Sequence, residues 1–103
     1  MRSIEAIVVE KKLGGAQETV ISKTVPENER WELVEIIAWA EKTYELWLLV
    51  NGKTYLATGA DAHDHLSQRL YDKRLIAGDS LNVRIKSSPH KEIKVTLIYR
   101  RIR

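Results

Sequence analysis

Apolar stretches that alternate with period two, closed off by a turn signal every eight to twelve residues, leave this chain few ways to fold. Ile4 to Val9 mixes β-branched residues with acids and runs into Lys11-Lys12-Leu13-Gly14-Gly15, whose glycines permit a sharp reversal. Glu18 to Val25 alternates Val20, Ser22 and Thr24 with Thr19, Ile21, Lys23 and Val25. Pro26 ends that strand, because proline has no N–H to give to a ladder. Asn51-Gly52 lies between Leu48-Leu49-Val50 and Thr54-Tyr55-Leu56, as a two-residue type I′ hairpin requires. Later, Leu81, Val83 and Ile85 alternate with polar residues, as do Ile93, Val95, Leu97 and Tyr99. No βαβ rhythm is present. The reading is an all-β chain of about seven to eight short strands, an antiparallel sandwich or a small barrel.

One stretch departs from this pattern. After Gly59, Ala62, Leu66 and Leu70 recur at intervals of four, Asp61 can cap, and Asp64 follows near the positive end of a helix dipole. This predicts one short helical segment near residues 61–74.

The centre of the chain is apolar on both strand parities. Trp31, Leu33, Ile37 and Trp39 share one parity, while Val34, Ile36, Ala38 and Ala40 share the other. Tyr44 to Val50 repeats the pattern, with Trp47 and Leu49 opposite Tyr44, Leu46, Leu48 and Val50. An antiparallel sheet normally keeps one face polar, so something must cover the second face. With no Phe but three Trp and four Tyr, the aromatic content favours side chains common at protein interfaces. The candidate subunit interface is therefore Trp31, Trp39, Trp47 and Leu49, and a homo-oligomer follows. The acidic stretch 27–45 of one subunit could meet the basic stretch 84–103 of another, head to tail; pairing of the two within one chain is an equal alternative.

A chain of 103 residues is expected to form a single domain, 1–103, and with 44% hydrophobic residues it can bury a core without disulfides. It has no cysteine, which excludes a thiol nucleophile, a Cys-based zinc site and an iron–sulfur cluster. It shows no apolar run of spanning length and no basic-then-apolar leader, so the expectation is a soluble protein with no membrane partner and no signal-peptide secretion. The 30% of charged residues, single Met and few Asn or Gln lean toward a thermophilic source.

Catalytic chemistry is hard to assemble from these residues. Asp61, His63, Asp64 and His65 are the one cluster of metal-ligand types: on a strand His63 and His65 would point the same way and could chelate, whereas on a helix, two residues apart, they point in different directions, and the helical reading of this segment disfavours a metal. None of the serines lies in a Gly-x-Ser-x-Gly setting, and the glycines match neither a P-loop nor a dinucleotide fingerprint. The chain is read as non-enzymatic and free of cofactors. Residues 84–103 carry seven basic groups against the single acid Glu92, although the net charge is only +3. Arg84, Lys86, Lys94, Tyr99, Arg100 and Arg101 are thus the candidate surface for an alternative function, nucleic-acid binding by a small barrel.

Val25-Pro26 leading to Trp31-Glu32-Leu33, a hydrophobic strand ending in Asn51-Gly52, and Leu75-Ile76-Ala77-Gly78-Asp79-Ser80-Leu81 opening the penultimate strand form an ordered set of signals. In that order they resemble the small β-sandwich, jelly-roll-like accessory proteins of phages and other viruses, among them capsid decoration, head-fibre and tail accessory proteins. The resemblance covers roughly residues 20–100. It implies a homotrimer or ring attached to a protein lattice such as a viral capsid, located on the virion or in the cytoplasm. It carries over no catalytic residue, and it leaves the His- and Asp-rich segment 61–74 unplaced.

Overall fold

The computed structural model describes residues 1–103, which form eight strands and no helix. In chain order these are β1 (Arg2–Lys12), β2 (Glu18–Thr24), β3 (Arg30–Ala40), β4 (Tyr44–Val50), β5 (Lys53–Ala60), β6 (Leu66–Ile76), β7 (Ser80–Lys86) and β8 (Glu92–Ile102). They make two antiparallel four-stranded sheets, in the orders β1-β8-β3-β6 and β2-β7-β4-β5. Only β4 and β5 are neighbours both in sequence and in a sheet. Every other connection crosses between the sheets, which is how an eight-stranded jelly roll is wound.

The turns form where the local chemistry dictates. Asn51 and Gly52 both have positive φ, 52° and 78°, as the type I′ hairpin joining β4 to β5 requires. Beyond Pro26, the Glu29 N–H donates to the Pro26 carbonyl at 3.3 Å and Asn28 takes φ 67°. The inward parity of the strands builds one cluster of 20 buried residues, with Leu46, Leu48, Val83 and Ile85 from one sheet facing Leu33, Ile36, Val95 and Leu97 from the other.

The expected helix near 61–74 is absent: residues 61–65 turn and β6 follows. An interval of four is a multiple of two, so Leu66 and Leu70 share one face of a strand as readily as one face of a helix. In β6 they lie with Gln68 on the inner side, Leu66 opposite Ala38 and Gln68 opposite Ile36. Asp61 caps no helix; its carbonyl accepts the Asp64 N–H at 3.1 Å in a turn where His63 has φ 64°.

The apparent two-faced apolarity of β3 has a specific cause. Its register with both β6 and β8 shifts between Leu33 and Glu35, so a bulge at Val34 exchanges the parities. Trp31 and Leu33 point inward before it, and Ile36, Ala38 and Ala40 after it. Trp31 and Trp39 share a parity in sequence yet lie on opposite faces.

Candidate assembly surfaces

Residues paired across antiparallel strands share a face, so the register fixes what the first sheet shows to solvent. One row reads Val8, Thr96, Ile37 and Ser67 across β1, β8, β3 and β6; the next reads Ala6, Ile98, Glu35 and Arg69. Beyond these lie Ile4, Arg100, Glu32 and Arg74 on one side and Glu10, Lys94 and Trp39 on the other. The β1, β8 and β3 portion is an apolar band running over Ile4, Val8, Ile98, Ile37 and Trp39. Ile4 is 71% exposed and Val8 53%. Charges border the band, with the Lys94 Nζ 3.4 Å from Glu10 and the Arg100 guanidinium 2.5 Å from Asp72 and 4.0 Å from Glu32.

Trp39 sits at one end of this band, half-buried, with its ring centroid 5.7 Å from that of His63. The His63 N–H donates to the Ala40 carbonyl at 2.9 Å and holds the 61–65 turn beside the indole. A shallow depression of about 200 Å³ lies against Trp39, lined by Ile37, His65, Lys94 and Thr96 among others. A second, of about 370 Å³, adjoins it between Trp39, Glu10 and the Lys11-Lys12 end of β1.

Trp47 and Leu49 belong to the opposite side of the molecule. They pair with Arg84 and Asn82 of β7 and with Ala57 and Thr54 of β5, which puts them on the outer face of the second sheet. Leu49 is only 8% exposed, yet it is no member of the core cluster. Trp31, expected at a subunit interface, is instead an internal residue stacked on Tyr99, because the inward parity of β3 still holds at its position. The four expected interface residues are thus split among the core and two opposite faces, and a single contact cannot use them all.

The basic C-terminal residues are divided in the same way. Arg84 points outward from the second sheet, whereas Lys94 and Arg100 lie on the outer face of the first, beside Glu10, Asp72 and Glu32. Lys86 pairs with Glu45 across β7 and β4. Tyr99 is buried against Trp31 and offers no ring to a base. Arg101 turns toward the sandwich end, 3.0 Å from Glu5 and 3.9 Å from Glu29, and Arg103 approaches Glu29 as well. Strand alternation explains the dispersal: consecutive residues of β8 face opposite ways, so a run of basic residues in sequence does not make a patch.

Three features escaped the sequence reading. Ile4, Ala6 and Val8 form the outer margin of the apolar band, and their shared even parity in β1 was the available signal. Tyr71 and Asp72 sit in a bulge of β6 with φ 54° and 55°, Tyr71 79% exposed, and nothing in the sequence marks two non-glycine residues for that conformation. Tyr44 is buried with a hydroxyl that has no hydrogen-bond partner; burial, reinforced by the nearby Asp64 carboxylate, raises its phenol above the ordinary range. It borders a broad, open depression with Asp61, Asp64 and His65.

No protein-family model matches the chain, and no curated protein resembles it in sequence. Solved structures resemble it in fold. A subunit of Bacillus endospore appendages, described as a novel family of disulfide-linked pili, superposes with a TM-score of 0.64 at 8% identity, covering 97% of this chain and 86% of that one. The CBM36-1 domain of a multidomain xylanase from the hindgut metagenome of Trinervitermes trinervoides gives 0.52 at 7% identity, covering 93% and 96%. A chain of infectious bursal disease virus, Gx strain, gives 0.50 at 10% identity, covering 99% of this chain and 32% of that one. At these identities the likeness is one of fold alone, a β-sandwich.

Proposed function

We propose that this chain is a non-enzymatic structural module that associates with copies of itself and attaches to a larger protein assembly. The observation that carries the reading is the apolar band on the outer face of the first sheet, where Ile4, Val8, Ile98, Ile37 and Trp39 lie on the side turned away from the core. Burying such a band stabilises association by about 25 cal/mol per Å², before the entropic cost of association. A subunit of Bacillus pili and a chain of infectious bursal disease virus that share the sandwich lend support. The disulfide link named for that pilus has no counterpart here, because this chain has no cysteine.

In its most specific form the proposal makes the protein a virion accessory or decoration component that docks on a capsid lattice, and that form expects three copies. The test is the solution mass of the purified chain by light scattering at high concentration, repeated with Trp39→Ser. A wild-type mass above one chain that falls for the variant supports the reading. A strict monomer overturns it.

A further inference from the structure

The two sheets have four edge strands, and three of them are interrupted. The register of β2 breaks between Thr19 and Ile21. That of β5 breaks opposite Leu48 and Leu49. β6 carries the Tyr71-Asp72 bulge, flanked by Arg69, Lys73 and Arg74. Bulges and charges are the devices by which sheet edges avoid pairing with other chains. β1 has no such break: its register with β8 runs unshifted from Arg2 to Lys12, with no proline, and Ala6 to Val9 carries no charge.

The open side of β1 is also defined. Met1 and Arg103 exchange both backbone hydrogen bonds, at 3.1 Å and 2.9 Å, so the odd-numbered residues turn their N–H and C=O groups toward β8. By alternation, the even-numbered residues present theirs to the free edge, and these are the residues whose side chains form the exposed margin of the apolar band.

We propose that β1 pairs antiparallel with β1 of a second copy, Ala6 opposite Ala6, joining the two first sheets into one continuous sheet about a twofold axis. The inference rests on the self-association reading above and makes a twofold pair, rather than a trimer, its unit. Charge complementarity selects both partner and register. With Ala6 opposite Ala6, Ile4 meets Val8 and Arg2 meets Glu10, at both ends by symmetry. Sliding by one step of the same parity in one direction puts Arg2 against Lys12 and Ile4 against Glu10. Sliding the other way puts Glu5 against Glu5. A slip of odd parity opposes the inner face of one copy to the outer face of the other.

Two experiments test this. Ala6→Pro removes an N–H that faces the open edge and no bond to β8, a position where an edge strand tolerates proline. Light scattering is expected to give twice 11.9 kDa for the wild type and a single 11.9 kDa for the variant, with the melting temperature of the dilute monomer unchanged. In a chain free of native cysteine, Ala6→Cys should cross-link to a dimer on mild oxidation. Directly opposed residues of an antiparallel hydrogen-bonded pair have Cα atoms about 5.5 Å apart, within disulfide reach. Ile4→Cys and Val8→Cys should not cross-link singly but should do so together. A wild-type trimer, an oligomer untouched by Ala6→Pro, or equal cross-linking by all single variants overturns the edge pairing while leaving self-association standing. A strict wild-type monomer overturns both.

Discussion

Trp31 of β3 stacks on Tyr99 of β8, ring centroids 4.3 Å apart and planes 29° from parallel, while its indole N–H donates to the Glu29 carboxylate at 3.1 Å. The stack closes one end of the sandwich, where Glu29 also faces Arg101 and Arg103. It places the indole body in the core and its polar edge at the charged rim, the division of labour that a buried tryptophan needs.

Removing that ring is the first prediction. Trp31→Ala should cost about 3–5 kcal/mol of unfolding free energy, the range for deleting a buried large aromatic. Trp31→Phe keeps a ring over Tyr99 and gives up the bond to Glu29, so it should lose distinctly less. Urea unfolding of the two variants against wild type, at a concentration where all are monomeric, checks the order.

Tyr44 offers a gain instead of a loss. Its hydroxyl is buried without a partner, and an isosteric apolar replacement removes an unmet polar group at little cost in shape. Tyr44→Phe should stabilise the chain by about 1 kcal/mol at neutral pH. Burial raises the phenols of both Tyr44 and Tyr99 above 10.0, so the folded state resists an ionisation that the unfolded chain accepts. The associated stability is intact below pH 10.0 and falls as pH rises through the folded values. The alkaline limb of a melting-temperature profile should therefore be shallower in Tyr44→Phe, with the Tyr99 part remaining.

β2, β7 and β8 were legible because each buries one face, and burial on one face writes a period of two into the residues, while apolar runs on either side of Asn51-Gly52 marked β4 and β5. β6 was not: from Leu66 to Leu70 its spacing satisfies a strand and a helix alike, and the bulge at Tyr71-Asp72 then displaces Lys73 and Leu75 from the earlier count. The bulge at Val34 did similar damage to the site, since a parity count carried through it joined Trp31 to Trp39. That some apolar β surface would remain outside the core was readable from the excess of apolar residues in β3. Which face holds it, and that β1 and β8 complete it through Ile4, Val8 and Ile98, depends on pairings between strands far apart in sequence.

Acid should act through two turns. The Asp79 carboxylate accepts from the Asn51 side chain at 3.0 Å and from the Ile76 N–H at 2.9 Å, which lowers its pKa below 3.8, the Asn51 bond contributing most. Asn51 in turn accepts the Ser80 N–H at 2.9 Å, so the carboxylate ties the β4–β5 turn to the start of β7. A depressed carboxylate contributes stability above its ordinary pKa that is lost as pH falls through the folded value. Asp79→Ala should be less stable than wild type at pH 7, and the gap should narrow as pH drops below 3.8. Glu18, lowered chiefly by Lys11 and then by the Gly14 N–H, adds a loss of the same sign in both proteins, so the difference between them isolates Asp79.

A methyl group at Gly59 should disturb the hairpin more than one at Gly52. A Cβ at Gly59 would lie 2.5 Å from the Tyr44 carbonyl oxygen, a backbone atom that cannot swing aside, whereas at Gly52 nothing lies within 4 Å and only the positive φ of 78° opposes the change. Gly59→Ala therefore has to push β5 away from β4, at about 1–3 kcal/mol, against roughly 1 kcal/mol for Gly52→Ala. The displacement also strains the link between the sheets, because the Tyr55 hydroxyl of β5 donates to the Leu70 carbonyl of β6 at 3.0 Å and Lys73 lies 5.5 Å from the Tyr55 ring centre. Amide hydrogen exchange in Gly59→Ala should accelerate along β5 and at the Leu70 end of β6 while β1 and β8 keep their protection. Acceleration spread evenly over all eight strands would mean that the clash is relieved by global loosening instead of by movement of one edge.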